Sequence, residues 1–324
     1  MRPVRFAVFG TNFISGHFAD AVAHTDGTEI SAVYSRREET GRAFADTCGG
    51  AHVYTDMDEL LAADTSDACY IATPNMCHRD MTVAALRAGR HVLCEKPMAQ
   101  SAADAAFMIN EARRAGRVLL EAMRPDFDPA YDVLRAYLPK VGPVRRATLD
   151  YCQYSSRYDA FLRGDVKNAF RPDMGNAALA DIGIYPLRAA VALFGMPTDV
   201  CARSVFLSNG FEGAGQVLLS YPDKTVTVVY SKISDSENPS VIEGEAGALT
   251  VDRITTPTRI VYRPRGGAAE TVYTAAPYNN MTCEVAAFLR MVRGEMSPSP
   301  YLSLTENTLA LYDAAVRSAG IFRK

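Results

Sequence analysis

The spacing of apolar positions changes character about a third of the way along the chain. In the first part, short continuous apolar runs alternate with runs of helical period. Val4 to Phe9 reads as a strand, and Ile14, Phe18 and Val22 then recur at helical spacing, so Gly10 to Ser15 is a strand-to-helix turn. Glu29 to Tyr34 is a second strand, followed by a helix through Phe44 with Ser35 as its N-cap. Asp56-Met57-Asp58-Glu59 has the form of a capping box that opens a short helix. Asp67 to Ala72 is a buried strand, Met76 to Ala88 a helix stopped by Gly89, and His91 to Glu95 a strand. Ser101 to Ala115 is a helix stopped by Gly116, and Val118 to Ala122 is again a strand. This alternation predicts an α/β domain, a doubly wound parallel sheet of Rossmann type with helices on both faces, over residues 1–123.

Beyond Met123 the period falls to two. Pro129 to Leu138 is helical. Val144 to Tyr154, Val200 to Leu207, Gly215 to Tyr221, Thr225 to Ile233, Ser240 to Glu243, Ala248 to Val251, Arg259 to Tyr262 and Glu270 to Thr274 then read as strands. Helices interrupt them at Ala177 to Phe194 and follow them at Asn279 to Met291 and Ser303 to Ala319. The expectation for residues 124–324 is a C-terminal α+β domain built on a large, open-faced, mainly antiparallel sheet. Too few helices follow to cover both faces, so one face is expected to lie against a second copy, in a homodimer or a dimer of dimers.

Composition narrows the function classes. A chain of 324 residues suits two domains. With 34 basic against 37 acidic side chains, scattered, and a net charge of -3, nothing in the balance favours nucleic acid or an anionic membrane. No apolar stretch reaches membrane-spanning length, and Arg2 and Arg5 run straight into a strand, which leaves no apolar core for a signal peptide. The seven cysteines are odd in number and widely spaced, as expected of reduced core thiols in the cytoplasm. All five histidines lie in the first third and none is spaced like a zinc knuckle, so no metal is expected. Any general acid contributed by the last two thirds of the chain is therefore not histidine.

Candidate chemistry gathers where the strands of the first part end. Gly10-Thr11-Asn12-Phe13-Ile14-Ser15-Gly16 stands in the place of a G-x-G-x-x-G turn, where backbone amides and a helix N-terminus meet a pyrophosphate. Only Gly10 is in register. Asn12 replaces the second glycine, and asparagine tolerates positive φ better than most residues. At the end of the second strand, Tyr34-Ser35-Arg36-Arg37 replaces the Asp or Glu that would bind an unphosphorylated ribose. One hydroxyl and two guanidiniums suit a 2'-phosphate, so NADP is favoured, with NAD the alternative. The arginines also fit a solvated first turn beside Glu38 and Glu39. Glu95-Lys96-Pro97 puts an ammonium where a parallel strand ends, the place where open α/β sheets bind ligands. The Lys-Pro bond is also one that can be cis. Taken alone, the tripeptide reads as a solvated charge pair before a turn; its position about ninety residues after the Gly-rich turn is what makes it count.

Asp181 and Tyr185 are four apart, which on a helix places a carboxylate and a phenol on one face. If the helix begins only at Pro186, the two need not be adjacent. Tyr185 is assigned as acid/base, Lys96 as the cation that assists it and anchors the substrate, and Asp181 as orienter or acceptor of a substrate hydroxyl. Arg124, Arg157 and Arg163 are further substrate candidates, Arg157 because it lies in the polar-aromatic run Gln153 to Tyr158.

Gly10-Thr11-Asn12-Phe13-Ile14, Ala72-Thr73-Pro74-Asn75 with His78, Glu95-Lys96-Pro97 and Asp181-Ile182-Gly183-Ile184-Tyr185-Pro186 occur in this order. Together they resemble the glucose-fructose oxidoreductase, inositol dehydrogenase and rhizopine catabolism (Gfo/Idh/MocA) family. The tyrosine in the last motif and the run Cys152 to Asp159 resemble the branch around dimeric dihydrodiol dehydrogenase. The resemblance implies a nicotinamide-dependent oxidoreductase with a small-molecule substrate. It also implies that Thr73, Pro74, Asn75, His78 and Glu95 border the cofactor. Two alternatives remain open: an enzyme that couples two sugars without releasing its nucleotide, and a dinucleotide-sensing protein without turnover.

Overall fold

The computed structural model describes residues 2–322. Contacts divide them into two units, and the division differs from a single cut after residue 123. Residues 1–127 cluster with 279–305, while residues 128–278 cluster with 306–324.

The first unit is built on six parallel strands: β1 (Val4–Phe9), β2 (Thr28–Tyr34), β3 (His52–Tyr54), β4 (Ala68–Ile71), β5 (His91–Glu95) and β6 (Leu119–Ala122). Their order, β3-β2-β1-β4-β5-β6, reverses between β1 and β4. The central strands are apolar at almost every position because helices cover both faces. These helices are α1 (Phe13–Ala23), α2 (Glu38–Thr47), α3 (Met57–Ala62), α4 (His78–Arg87) and α5 (Ala102–Ala115). Local chemistry sets their ends. Asp56 accepts from the amides of Asp58 and Glu59, Ser101 Oγ accepts from Asp104 N, and α5 stops at Gly116 with φ 61°.

Ser35 does not cap α2. The helix begins three residues later, at Glu38, and its N-cap is Arg37, which makes no side-chain cap bond. The late segment of this unit contributes α9 (Met281–Val292) and the start of α10 (Ser299–Ala319). Met281, Val285 and Phe288 of α9 are fully buried in the same cluster as Phe6, Val8 and Phe18.

The second unit holds an eight-stranded sheet. In chain order its strands are β7 (Val144–Cys152), β8 (Asp199–Phe206), β9 (Glu212–Ser220), β10 (Thr225–Ser231), β11 (Ser240–Gly244), β12 (Gly247–Val251), β13 (Arg259–Pro264) and β14 (Glu270–Thr274). Spatially they run β14-β13-β12-β11-β7-β10-β9-β8. Every pair is antiparallel except β7 with β10, which are parallel. α6 (Pro129–Tyr137) packs on β13 and β14, and α8 (Ile184–Phe194) packs on β7 and β10. Inward positions such as Ala202, Val217, Val226, Val228 and Ala147 are fully buried, whereas Cys201, Val205 and Leu218 of the opposite face are exposed. Among the described residues no helix is long and apolar enough to cross a membrane.

Candidate active site

The candidate residues fall in both units.

In the first unit the switch point between β1 and β4 carries the turn that opens α1. Gly10 takes φ 99°, and a Cβ there would lie 2.7 Å from the Ala72 carbonyl oxygen, so only glycine fits. Asn12 does not use positive φ; its φ is -85°. It survives in a glycine position by bonding instead. Oδ1 accepts from Ile14 N at 2.9 Å and Ser15 N at 3.3 Å, capping α1, while Nδ2 donates to Ala72 O at 2.6 Å. Ser15 Oγ donates back to Gly10 O at 2.8 Å. The turn Gly10-Thr11-Asn12 is thereby tied to the end of β4, with a helix N-terminus aimed out of the sheet where a pyrophosphate is favoured. Phe13 is 69% exposed and packs edge-on against His17, beside half-buried Ile14.

At the end of β2, Ser35 is buried. Its hydroxyl is engaged within its own loop, donating to Arg37 O at 2.9 Å and pairing with Thr40 Oγ1 at 2.8 Å. Arg36 and Arg37 are exposed, and among the described residues no carboxylate holds either guanidinium; the nearby Glu38 pairs with Arg42. Two open guanidiniums at the ribose end of a Rossmann turn fit a phosphorylated dinucleotide, with Ser35 as a support of the loop.

The loops after β4 and β5 are locked together. Thr73 and Pro74 lead into a 3-10 turn at Asn75–Cys77, and His78 opens α4. The buried His78 ring spans both loops, with Nδ1 2.9 Å from Pro97 O and Nε2 2.9 Å from Thr73 O, and burial lowers its pKa. The Lys96-Pro97 peptide is cis. Glu95 is buried, accepting from Tyr70 OH at 2.6 Å and from Lys96 N at 3.3 Å. Met98 N donates to Glu121 Oε1 at 2.9 Å, and Thr305 Oγ1 donates to Glu121 Oε2 at 2.8 Å. The backbone that carries Lys96 is thus held before, at and after the lysine. Deeper in this unit lies Glu284, fully buried, whose oxygens have no hydrogen-bond partner among the described residues. Burial, then the charge of Glu95, pushes its carboxyl well above the ordinary range. Arg124 lies close enough to ease the ionisation of Glu284 and Tyr70, which places it beside this acidic interior of the first unit.

In the second unit Asp181 and Tyr185 share one helical segment. A π-helical turn, Leu179–Gly183, runs directly into α8, which starts at Ile184 and not at Pro186. Pro186 has no N–H and its ring crowds the carbonyl four residues earlier, so an ordinary α register is disfavoured here and the wider turn accommodates it. Gly183 packs closely here, since a Cβ would stand 2.9 Å from Leu179 Cδ1 and 3.0 Å from Tyr230 Cγ and those side chains would have to shift. Tyr185 is 5% exposed and packs edge-on against Tyr151 of β7 at 5.8 Å.

Two residues that sequence reasoning passed over complete this group. Lys232, just past the end of β10, is buried, and its ammonium donates to Asp181 Oδ2 at 2.5 Å. Its Nζ also lies 5.2 Å from the Phe170 ring and 5.7 Å from the Phe211 ring. Glu212, buried at the start of β9, accepts from Leu179 N at 2.9 Å. Burial pushes its carboxyl up to about 7, against the partial relief given by the Leu179 amide and the Tyr230 and Ser204 hydroxyls. The run Gln153 to Tyr158 reaches this group through rings: Tyr158 stacks on Phe170 at 5.7 Å. Arg157 and Arg163 flank the short helix α7 (Tyr158–Leu162) and are exposed. Among the described residues neither makes an ion pair, and no contact brings either to Asp181.

The chain was compared with known proteins. A family model described as GFO_IDH_MocA, oxidoreductase family, NAD-binding Rossmann fold, matches residues 4–123, and the GFO/IDH/MocA C-terminal domain matches residues 139–250. The chain is 42% identical to scyllo-inositol 2-dehydrogenase (NADP(+)) of Bacillus subtilis, over 90% of this chain and 88% of that one. It is 26% identical to trans-1,2-dihydrobenzene-1,2-diol dehydrogenase of Mus musculus, over 94% and 93%. Among solved structures it resembles a 3-ketoreductase from Actinomadura kijaniata in complex with NADP and TDP-benzene. That match has a TM-score of 0.88 at 24% identity and covers 98% of each chain.

Proposed function

This chain belongs to the GFO/IDH/MocA oxidoreductase family, and from that premise we propose that it is an NADP-preferring dehydrogenase or reductase. The reaction we assign is hydride transfer between the nicotinamide and a secondary alcohol/carbonyl pair of a sugar, polyol or related compound. One observation carries the assignment of chemistry. Asp181 and Tyr185 stand in a single helical segment, and the carboxylate is matched by a buried ammonium. The relatives named for inositol and diol substrates support the substrate class, and the NADP(+) in the name of the inositol dehydrogenase supports the cofactor.

When bound, the nicotinamide supplies or accepts the hydride. The Tyr185 phenol gives its proton to the carbonyl oxygen during reduction and takes it back during oxidation. Lys96, on its pinned loop, supplies the positive charge that favours both the phenolate and the developing oxyanion. Asp181, an acceptor only, takes a hydrogen bond from a substrate hydroxyl. Arg36 and Arg37 grip the 2'-phosphate, and the turn Gly10 to Asn12 with the α1 N-terminus receives the pyrophosphate. Thr73, Pro74 and Asn75, held by His78, border the nicotinamide end. The exposed face bearing Cys201, Val205 and Leu218 suits burial against a second copy, and sedimentation velocity at micromolar concentration should return a dimer or its multiple. Seven free thiols suit a reducing compartment such as the cytoplasm.

The test is stopped-flow hydride transfer beside NADPH titration, with substrate drawn from a screen of sugars, inositols, diols and their ketones. Lys96→Ala and Tyr185→Phe should each lower kcat about a hundredfold or more with nucleotide affinity little changed. The double variant should be scarcely worse than either, because the two act as one unit. Variants that turn over normally would remove both residues from the mechanism. A wild type that binds NADPH and reduces nothing in the screen would be a nucleotide sensor.

A further inference from the structure

Lys232 is an unusual residue to bury, and its surroundings hold it from every side. Its main-chain N–H donates to Gly213 O at 2.9 Å, and its carbonyl accepts from Ser155 N at 2.9 Å. The side chain is 6% exposed and runs past Phe170 and Phe211 to end on Asp181, with the Ala169 carbonyl 3.5 Å away. Asp181 is its opposite in one respect, for its side chain is 44% exposed. A desolvated ammonium is costly wherever it sits, and an apolar side chain of similar length would fill the space between two phenylalanine rings at less cost. What the ammonium does that an apolar group could not do is fix a half-open carboxylate in one orientation, in the π-helical turn directly before Tyr185.

We propose that Lys232 is a substrate-positioning residue: its ammonium aims the Asp181 carboxylate at a hydroxyl neighbouring the reacting carbon, so that the pair selects hydroxyketones and vicinal diols over simple ketones and alcohols. The inference rests on the reading of Asp181 as a substrate contact and deepens it. A carboxylate only accepts hydrogen bonds, so the group it recognises is a donor, and a neutral hydroxyl is the donor that meets neither repulsion from Lys232 nor an unpaired charge. A site built to bond a hydroxyl rejects the analogue that lacks one far more strongly than an apolar pocket rejects a changed methylene. An ammonium held at both main-chain ends and flanked by rings cannot follow the carboxylate if it swings, so the direction of the acceptor is set by the fold rather than by the ligand.

The experiment uses the full chain with NADPH and a matched pair of ketones, 2-hydroxycyclohexanone and cyclohexanone. The proteins are the wild type, Lys232→Met and Lys232→Arg, each checked by circular dichroism, thermal midpoint and NADPH titration. The wild type should prefer the hydroxyketone. Lys232→Met should lower kcat/KM for it by about 10–100-fold, chiefly through KM, because the acceptor is no longer aimed. Its loss on cyclohexanone should be markedly smaller, so that the hydroxyketone-to-ketone ratio of kcat/KM falls about tenfold, since that ketone never used the acceptor. Lys232→Arg, which keeps the charge, should fall between the two. Where Lys232→Met does not fold, Lys232→Gln, a shorter neutral donor, gives the same readout. A preference unchanged in the folded variant overturns the inference and leaves the hydride-transfer reading intact, as does an equal loss on both ketones. A wild type that reduces neither ketone overturns this inference, while the screen of sugars, inositols and diols decides the polyol reading separately.

Discussion

Replacing Asn12 with glycine would restore the second glycine of the dinucleotide fingerprint, and by sequence pattern alone it should improve the site. The structure forecasts the reverse. Glycine is nearly as good as asparagine at an N-cap, so the lost bonds to Ile14 N and Ser15 N cost only a few tenths of a kcal/mol. The 2.6 Å bond from Nδ2 to Ala72 O goes as well, worth about 0.5–1.5 kcal/mol. The sum is about 1–2 kcal/mol, and for a unit of this size each kcal/mol lowers the thermal midpoint by about 2–4 °C. Because the lost tie joins the turn to the end of β4, NADPH should also bind more weakly. Thermal melts of wild type, Asn12→Gly and Asn12→Ala beside NADPH fluorescence titrations measure both effects. An Asn12→Gly protein that melts at or above the wild type and binds NADPH as tightly would refute the role given to the side chain.

Two further outcomes follow from the geometry. NADPH should bind more tightly than NADH, and Arg36→Ala or Arg37→Ala should remove about 1.5–3 kcal/mol of that difference, whereas Ser35→Ala, whose hydroxyl faces its own loop, should change the NADPH-to-NADH ratio little. Equal affinities in the wild type would sink the NADP assignment. Glu212 holds a proton in the folded state up to about pH 7, while its unfolded form releases that proton near the ordinary 4.5. Its contribution to stability is therefore greatest below pH 4.5 and is lost as pH rises to 7, to a limit of about 3 kcal/mol. Glu212→Gln should flatten this decline in denaturant midpoints measured from pH 5 to 8, and a variant that tracks the wild type across that window would acquit Glu212.

Strand and helix positions were legible because each is written in local period and punctuation: Gly89 and Gly116, read as helix stops, take φ 79° and 61°. Partners were less legible than elements. Nothing in the alternation of Val144 to Tyr154 or Thr225 to Ile233 says that these two strands pair in parallel, since both orientations bury the same face. The apolar stripe of α9 announced a buried helix without saying that its core lies with Phe6 and Phe18, some 270 residues earlier in the chain. The same distance hid Lys232 and Glu212. A charged residue at the edge of a strand reads as a solvated end until a helix from elsewhere brings Asp181 or the Leu179 amide against it. Ser35 misled for the opposite reason: a hydroxyl after a strand has the composition of a cap, but its proton is spent on Arg37 O and the helix starts further on.

The return of residues 279–305 to the first unit sets an order on how the chain is made. A ribosome delivers all six strands of the parallel sheet early, yet Met281, Val285 and Phe288, which fill its core beside Phe6 and Phe18, emerge only after every strand of the other sheet. At usual elongation rates that interval is roughly 8–30 s. During it the nascent nucleotide-binding unit presents an uncovered apolar face while the eight-stranded sheet is free to assemble. The unit that begins the chain is thus among the last to close, and a gene fragment ending at residue 123 would encode a sheet permanently missing part of its interior.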